Sequence, residues 1–496
     1  MKYISSRNKN YALESHQAII RGLAEDGGLF TPASYPDALR PEDILGKDYR
    51  GIAETVLKAM LADYTEEEIR HCVNSAYDTK FDTDEIVPLT ALKDGWLMEL
   101  WHGPTSAFKD LALTILPHLL TTAYAKEDRH DVVSILTATS GDTGKAALSG
   151  FADVPNTAIT VFYPEIGVSA VQKRQMNTSK GNNVEVIAVK GNFDDCQRMV
   201  KEACSSKEVL DACTGVTISS ANSINAGRLI PQIVYYFHAY AKLVSEKKIA
   251  WGDPVNFAVP TGNFGDILAG WLAKKIGLPV GKLLCASNTN NVLTDFLNTG
   301  TYSLDRTFHT TMSPSMDILI SSNLERLLFL LTGQDDEKIR EWMRQLKEEG
   351  SYTVDDAVFR QLQDEFAGIW TSEEECAEVI HDTWSNEHVL IDPHTAVALS
   401  AMRKYRKESG DETPCVVLST ASPYKFCHDV LECISGRNIP DDFEAMEVLH
   451  ELTSVPVPAN LRDLKTQPVR FTRSIEIRDG MHVIAERMRS LSHVQD

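Results

Sequence analysis

Long hydrophobic runs are missing from this chain. The longest, such as residues 111–120, is interrupted by Pro117 and falls far short of the ~20 apolar residues that cross a bilayer as a helix. A membrane partner is therefore not expected. Paired cysteines are missing as well: the nine present are scattered, odd in number and without a Cys-x-x-Cys spacing, which argues against a disulfide framework and predicts buried thiols. The sequence has no His-Glu-x-x-His and no acidic twelve-residue loop, so no metal site is expected. Basic charge is in deficit. With 49 basic and 70 acidic side chains the formal charge is -21, which repels polyphosphate backbones and sets nucleic acid aside as a partner. The opening residues, Met1-Lys2-Tyr3-Ile4-Ser5-Ser6-Arg7, lead into polar Asn8, Lys9 and Asn10, without the apolar core of a signal peptide or the arginine repeats of a transit peptide. A cytoplasmic location is the resulting expectation.

What is present is an ordinary folded composition, 43% hydrophobic, 24% charged and 8% aromatic over 496 residues. That length corresponds to several domains at the usual ~100–200 residues each. Residues 1–95 read as an opening unit with helices near 15–23, 52–60 and 65–76 around the Gly/Pro-rich Asp26-Gly27-Gly28-Leu29-Phe30-Thr31-Pro32. From about 96, short β-branched runs at 132–136, 158–162, 184–189 and 216–218 alternate with helical patterns, which predicts βαβ units and a parallel sheet. A long helix is expected over 224–245. Runs at 255–259 and 282–286 then restart the strand rhythm, residues 320–385 read as almost wholly helical, and 415–419 supplies one more buried strand.

Four segments could carry chemistry. Trp101-His102-Gly103-Pro104-Thr105-Ser106-Ala107-Phe108-Lys109-Asp110 passes from a turn into a helix whose apolar stripe is Phe108, Leu111, Ala112, Ile115, Leu119 and Ala123. Lys109 sits in the first turn, where the positive helix end favours the free amine that attacks aldehydes, although on position alone a solvated surface lysine is the favoured reading. The strand ending at Ala138 runs into Thr139-Ser140-Gly141-Asp142-Thr143-Gly144-Lys145, an anion cradle or an ordinary capped turn, which departs from a Walker loop at Thr139 and Ala146. Thr261-Gly262-Asn263-Phe264-Gly265-Asp266 is a second cradle without the dinucleotide glycine spacing. Leu418-Ser419-Thr420-Ala421-Ser422 places hydroxyls at the carboxyl edge of a sheet, where α/β proteins bind ligands.

Taken together these segments resemble the pyridoxal-phosphate enzymes of the tryptophan-synthase-β group and, within it, the threonine synthases. His102-Gly103-Pro104-Thr105-x-x-Phe108-Lys109-Asp110 is similar to that family's cofactor-lysine signature. Thr137-Ala138-Thr139-Ser140-Gly141-Asp142-Thr143-Gly144, Ser220-Ala221-Asn222-Ser223-Ile224-Asn225 and Pro260-x-Gly262-Asn263-Phe264-Gly265-Asp266 follow in the family's order. Leu23-Ala24-x-Asp26-Gly27-Gly28-Leu29-Phe30 resembles its leading domain, Thr261 stands where serine is also common, and beyond about Ile439 no motif matches.

The resemblance implies an α/β chain of the fold-type II architecture with two parallel-sheet domains and a mostly helical N-terminal domain. The expected divisions are 1–95, a smaller domain with the cofactor lysine at 96–250, a larger one with the phosphate loop and a helical insertion at 251–440, and an extension at 441–496. It implies pyridoxal 5'-phosphate held covalently by Lys109, which then shuttles protons as a free amine. Gly262, Asn263, Phe264, Gly265 and Asp266 would form the cofactor phosphate loop, and Thr420 would meet the pyridine nitrogen. Ser140, Asp142, Thr143 and Asn222 are expected on the substrate side, with the Asp142 carboxylate anchoring its own loop, and Arg228 as the fork for a substrate phosphate. A surface ion pair is the alternative for Arg228. The implied reaction converts O-phospho-L-homoserine and water into L-threonine and phosphate. Alternatives are a related phospholyase yielding 2-oxobutanoate, ammonia and phosphate, or a non-catalytic cofactor-binding regulator. Either a monomer or a homodimer is compatible.

Overall fold

The computed structural model describes residues 1–139, 141–166 and 168–492. The β-branched runs form two sheets. In the smaller, the strands lie in the order Ser474–Glu476, Val184–Lys190, Thr157–Pro164, Val132–Ala138, Val216–Ser219, and every pair is parallel. The larger runs Phe366–Trp370, Val280–Ser287, Val255–Pro260, Cys415–Ser419, Gly95–Glu99, Leu89–Leu92, parallel except for the last pair. Its central strands Val255–Pro260 and Cys415–Ser419 are buried at every position, which is why they read as continuous apolar runs instead of alternating ones. Gly95–Glu99 belongs to the larger sheet although the expected division placed residues from 96 in the smaller domain, so the segment leading to Lys109 starts from the larger sheet.

The opening unit combines a three-stranded antiparallel sheet, ordered Asn8–Glu14, Lys2–Ser5, Phe30–Pro32, with helices Ser15–Arg21, Tyr49–Met60 and Glu66–Ala76. Tyr49–Met60 buries Ile52, Ala53, Val56, Leu57 and Met60, the i, i+4 stripe of an amphipathic helix, and Asp48 caps it by accepting from the Gly51 N–H at 2.8 Å.

Proline sets the breaks elsewhere. The stripe through Phe108 and Leu119 falls on two helices, Lys109–Leu113 and Leu116–Lys126, with Pro117 at the start of the second, where its missing N–H costs no helical bond. The helix expected over 224–245 is likewise divided by Pro231 into Ala226–Leu229, a 3-10 turn Ile230–Gln232 and Ile233–Ser245. The helical insertion holds Leu324–Leu331, Asp336–Glu349, Asp356–Glu365 and Glu373–Glu387, but Phe366–Trp370 inside it is a strand paired with Val280–Ser287. The chain's last part folds back. Ser474–Glu476 joins the smaller sheet, and Gly480–Ser492 packs Val483, Ile484, Ala485, Met488 and Leu491 into the cluster that holds Val189, Ile187 and Leu136. All nine cysteines are free. Six are buried, Cys213 and Cys433 are half-buried, and Cys204 is exposed, against the expectation that all would be buried.

Among the described residues no helix is long and apolar enough to cross a membrane, and no cluster of ligating side chains suits a metal ion.

Candidate active site

Three strands deliver their carboxyl ends to one place. Val132–Ala138 leads into the helix Asp142–Phe151, Val255–Pro260 into the helix Gly265–Lys275, and Cys415–Ser419 into Thr420. The lysine segment is laid along the third of these. Leu100 N–H donates to Ser419 O at 2.9 Å, Phe108 N–H to Thr420 O at 2.8 Å and Ser422 N–H to Ser106 O at 3.1 Å. Thr420 and Lys109 are thus fixed within one residue of a shared hydrogen bond, and Thr420 is buried.

Lys109 opens its helix with a side chain 12% exposed. Its ammonium lies 3.8 Å from Asp142 Oδ2 and 4.7 Å from the centre of the Phe108 ring. Burial lowers its pKa to about 8; Asp142 opposes this, while the Lys425 and Arg228 cations reinforce it. The direction is the one expected from the helix terminus, but desolvation and the neighbouring cations are its main causes. Asp142, itself buried, does not anchor its own loop as expected: Thr139 Oγ1 takes the Gly141 and Gly144 N–H groups at 3.0 and 2.9 Å, and the carboxylate turns to other elements. Its Oδ1 accepts from Lys425 Nζ at 2.6 Å and from Gln172 Nε2 at 3.0 Å. Burial alone would raise this carboxyl, but Lys425 and Lys109 outweigh it and hold Asp142 well below the usual carboxylate range.

The loop after Pro260 is held from below. Thr261 N–H donates to Ala286 O at 2.9 Å, and Asn263 O accepts from both the N–H and the side-chain amide of Asn323, each at 3.0 Å. Phe264 is buried and takes a left-handed conformation, φ 62°, which aims the chain into the helix. The backbone N–H groups of Gly262, Asn263, Phe264 and Gly265 have no acceptor among the described residues. Unpaired donors of this kind at the start of an eleven-residue helix fit an anion such as the cofactor phosphate. A Cβ built on Gly265 would meet its nearest atom, Asn323 Nδ2, only at 3.5 Å, so the protein's own packing leaves room there. The Asp266 carboxylate does not serve the cradle: its Oδ1 accepts from Tyr235 at 2.5 Å and Tyr236 at 3.0 Å, and burial pushes its pKa up to about 6. Asp266 therefore ties the helix start to Ile233–Ser245.

A chain of contacts joins the cradle to the lysine. A Cβ on Gly262 would sit 3.1 Å from Ser315 O, Ser315 Oγ lies 3.5 Å from Asp142 Oδ2, and Asp142 Oδ2 faces Lys109. Ser315 is placed by His394, whose Nε2 accepts the Ser315 N–H at 3.2 Å while its Nδ1 meets Asp392 at 2.6 Å.

Arg228 is 4% exposed, with no carboxylate in ion-pair distance among the described residues, which removes the surface-pair alternative. Its Nη1 donates to Ala221 O at 3.0 Å, its buried Nε is unpaired, and burial lowers its pKa to about 10. A buried guanidinium with a free donor suits an anionic ligand. Asn222, next to Ala221, is half-buried and donates its N–H to Ser220 Oγ at 3.2 Å. Thr143 is half-buried on the second position of its helix, and Ser140 lies outside the described residues.

Sequence reasoning missed Lys425, Gln172, Ser315, His394, Asn323 and Arg326. Arg326, fully buried, donates to Phe30 O at 2.9 Å, to Ile224 O at 2.5 Å and to the Asn323 side chain, so it joins the opening unit, the Asn222 segment and the cradle. The one signal available was a lysine, Lys425, set within an otherwise apolar stretch just past Thr420.

Residues 85–421 match the family model of pyridoxal-phosphate dependent enzymes, residues 2–77 that of the threonine synthase N terminus, and residues 395–478 that of the threonine synthase C-terminal region. The last of these extends well past Ile439, where motif reading stopped. A threonine synthase of Pseudomonas aeruginosa is 40% identical over 430 residues, covering 86% of this chain and 89% of its own. The crystal structure of the pyridoxal-phosphate-bound threonine synthase from Brucella melitensis superposes with a TM-score of 0.88 at 36% identity, covering 99% of each chain. The yeast threonine synthase structure gives 0.88 at 32% identity, covering 100% of this chain and 99% of that one.

Proposed function

The chain belongs to the threonine synthase family of pyridoxal-phosphate-dependent lyases, and on that premise we propose that its site converts O-phospho-L-homoserine and water into L-threonine and phosphate. The observation that carries the assignment of roles is Lys109, a buried amine with a pKa lowered to about 8, which follows the Phe108 N–H bonded to Thr420 O and is linked through Asp142 and Ser315 to a cradle of unpaired N–H groups. Pyridoxal phosphate, when bound, supplies an electron sink that makes the protons on the substrate's α and β carbons removable.

The residues of the chain do the rest. Lys109 holds the cofactor aldehyde and, once displaced, is the base within reach, because its depressed pKa leaves a useful fraction unprotonated near neutral pH. Gly262, Asn263, Phe264 and Gly265 grip the cofactor phosphate through the backbone. Thr420 brings a neutral hydroxyl toward the ring, in place of a carboxylate that would protonate it. Arg228 offers its unpaired Nε to the substrate phosphate, and Asn222, Thr143 and Ser140 complete the substrate side. Placement of the enzyme in the cytoplasm belongs to the same reading.

Product analysis tests it. Incubation with O-phosphohomoserine is expected to yield threonine and phosphate in equal amounts. Phosphate with 2-oxobutanoate and ammonia would transfer the site to a phospholyase, and a cofactor absorbance unchanged by substrate would make the chain a binder only.

A further inference from the structure

Two buried ammonium groups share one carboxylate at this site. Lys425 Nζ, fully buried in the turn after Thr420, donates to Asp142 Oδ1 at 2.6 Å and to Thr105 O at 3.1 Å. Gln172 Nε2 takes the same carboxylate oxygen at 3.0 Å. Asp142 Oδ2, left to Ser315 and Lys109, stays 3.8 Å from the Lys109 nitrogen, too long for a hydrogen bond. We propose that Lys425 is a positioning residue for Lys109: by binding Asp142 it holds the carboxylate short of a direct pair and keeps the Lys109 amine available.

Thr105 belongs to the segment that carries Lys109, and its N–H and hydroxyl are taken by Asp110 at 2.8 and 2.6 Å. One ammonium therefore fastens both the lysine segment, through Thr105 O, and the helix start at Asp142. The charged groups facing Lys109 are Asp142 from the smaller sheet's helix, Lys425 from the turn after the larger sheet's strand, Arg228 from the helix Ala226–Leu229, Asp110 from its own helix and Asp266 from the cradle helix. Of these, Asp142 is nearest in effect and favours the protonated amine, whereas Lys425 and Arg228 disfavour it. Without Lys425 a repelling cation is lost and Asp142 is freed to close on Lys109. Both changes raise the lysine's pKa.

This inference rests on Lys109 being the residue that captures the cofactor. The test uses the full chain freed of cofactor, mixed with pyridoxal 5'-phosphate, with the initial rate of capture followed by absorbance from pH 6 to 10. The wild type must show capture that rises with pH, and Lys109→Ala must lose it; if the alanine variant still captures cofactor covalently, the site reading itself falls. Given that control, Lys425→Met is expected to move the midpoint up by about one pH unit or more, the size of shift produced by pairing a buried amine with a carboxylate. Asp142→Asn is expected to move it down, and this variant decides the matter should Lys425→Met not fold. Lys425→Arg, which keeps a cation on Asp142, is expected to stay close to wild type. A Lys425→Met midpoint equal to or below wild type, or an Asp142→Asn midpoint unmoved or raised, overturns the proposal. A purely structural Lys425 would change thermal stability and leave the midpoint alone.

Discussion

At the scale of single residues, burial decides which cations can do chemistry. Lys109 and Arg228 both lose water, and neither recovers it through a tight ion pair, so each remains available to a ligand. Lys109→Ala is expected to abolish turnover with circular dichroism unchanged, since the ammonium makes no short bond that the fold needs; retention of more than a few per cent of activity would sink the assignment. Arg228→Lys keeps the charge but loses the fork and the Nε donor. We expect kcat/KM on O-phosphohomoserine to fall at least ~10-fold, with KM raised and kcat lowered, while cofactor binding stays normal. Parameters within twofold of wild type would leave the substrate phosphate without this partner. Lys109 was legible in the sequence because the motif that marks it is local, from His102 to Asp110. Lys425 was not, because the feature that defines it is Asp142, which arrives from the other sheet. Asp266 shows the opposite limit. Its place in the cradle motif was readable, but Tyr235 and Tyr236, which take its carboxylate, lie on a helix whose docking only the tertiary structure reveals.

At the scale of elements, what the sequence showed plainly was what is buried on both faces. The runs at 132–136, 158–162, 184–189 and 255–259 are all interior strands of the two sheets, legible because an interior parallel strand has no polar face to disguise it. The run at 216–218 was legible too, although Val216–Ser219 is a half-buried edge strand, but two other edge strands escaped. Ser474–Glu476 and Phe366–Trp370 are three and five residues long, and their pairing with Val184–Lys190 and Val280–Ser287 is a long-range choice with little local signal. The cradle is the element where a glycine matters for a ligand and not for the fold. Around Gly265 the protein leaves ordinary contact distance to a Cβ, whereas Gly262 is pressed to 3.1 Å against Ser315 O. Gly265→Val is therefore expected to weaken pyridoxal-phosphate binding by at least ~10-fold while the melting temperature of the cofactor-free chain changes by only a few degrees. Titration of the cofactor-free chain checks the first and a thermal scan the second. Unchanged affinity would mean that the cradle does not hold the phosphate.

At the scale of the whole molecule, the opening unit and the larger sheet are fastened beside the site by His102. The ring stacks on Trp101 with centroids 4.2 Å apart, its Nδ1 meets Asp82 at 2.5 Å and its Nε2 meets Glu99 at 2.8 Å. Burial by itself would lower the imidazolium's pKa, but the hydrogen bonds to Asp82 and Glu99 outweigh it and raise it to about 9. A histidine whose folded pKa lies above the ordinary ~6.5 stabilises the fold fully below that value, and the stabilisation is lost as pH rises through the folded pKa. The window is therefore pH 6.5 to about 9. Asp82 is 48% exposed, so solvent screening brings the contribution down to about 1–2 kcal/mol. Lys109 and Lys145, both lowered to about 8 by burial, titrate in the same range with the opposite sign, since folding disfavours their charged forms. They are present in wild type and variant alike, so only the difference between the two proteins isolates the clamp. His102→Gln keeps the size and a hydrogen-bonding amide without the charge. It should melt about 1–2 °C below wild type at pH 6, the shift that about 1–2 kcal/mol gives a chain of this length, and the gap should close steadily toward pH 9.5. A gap that stays constant across that range would show that His102 packs against Trp101 without contributing charge-linked stability.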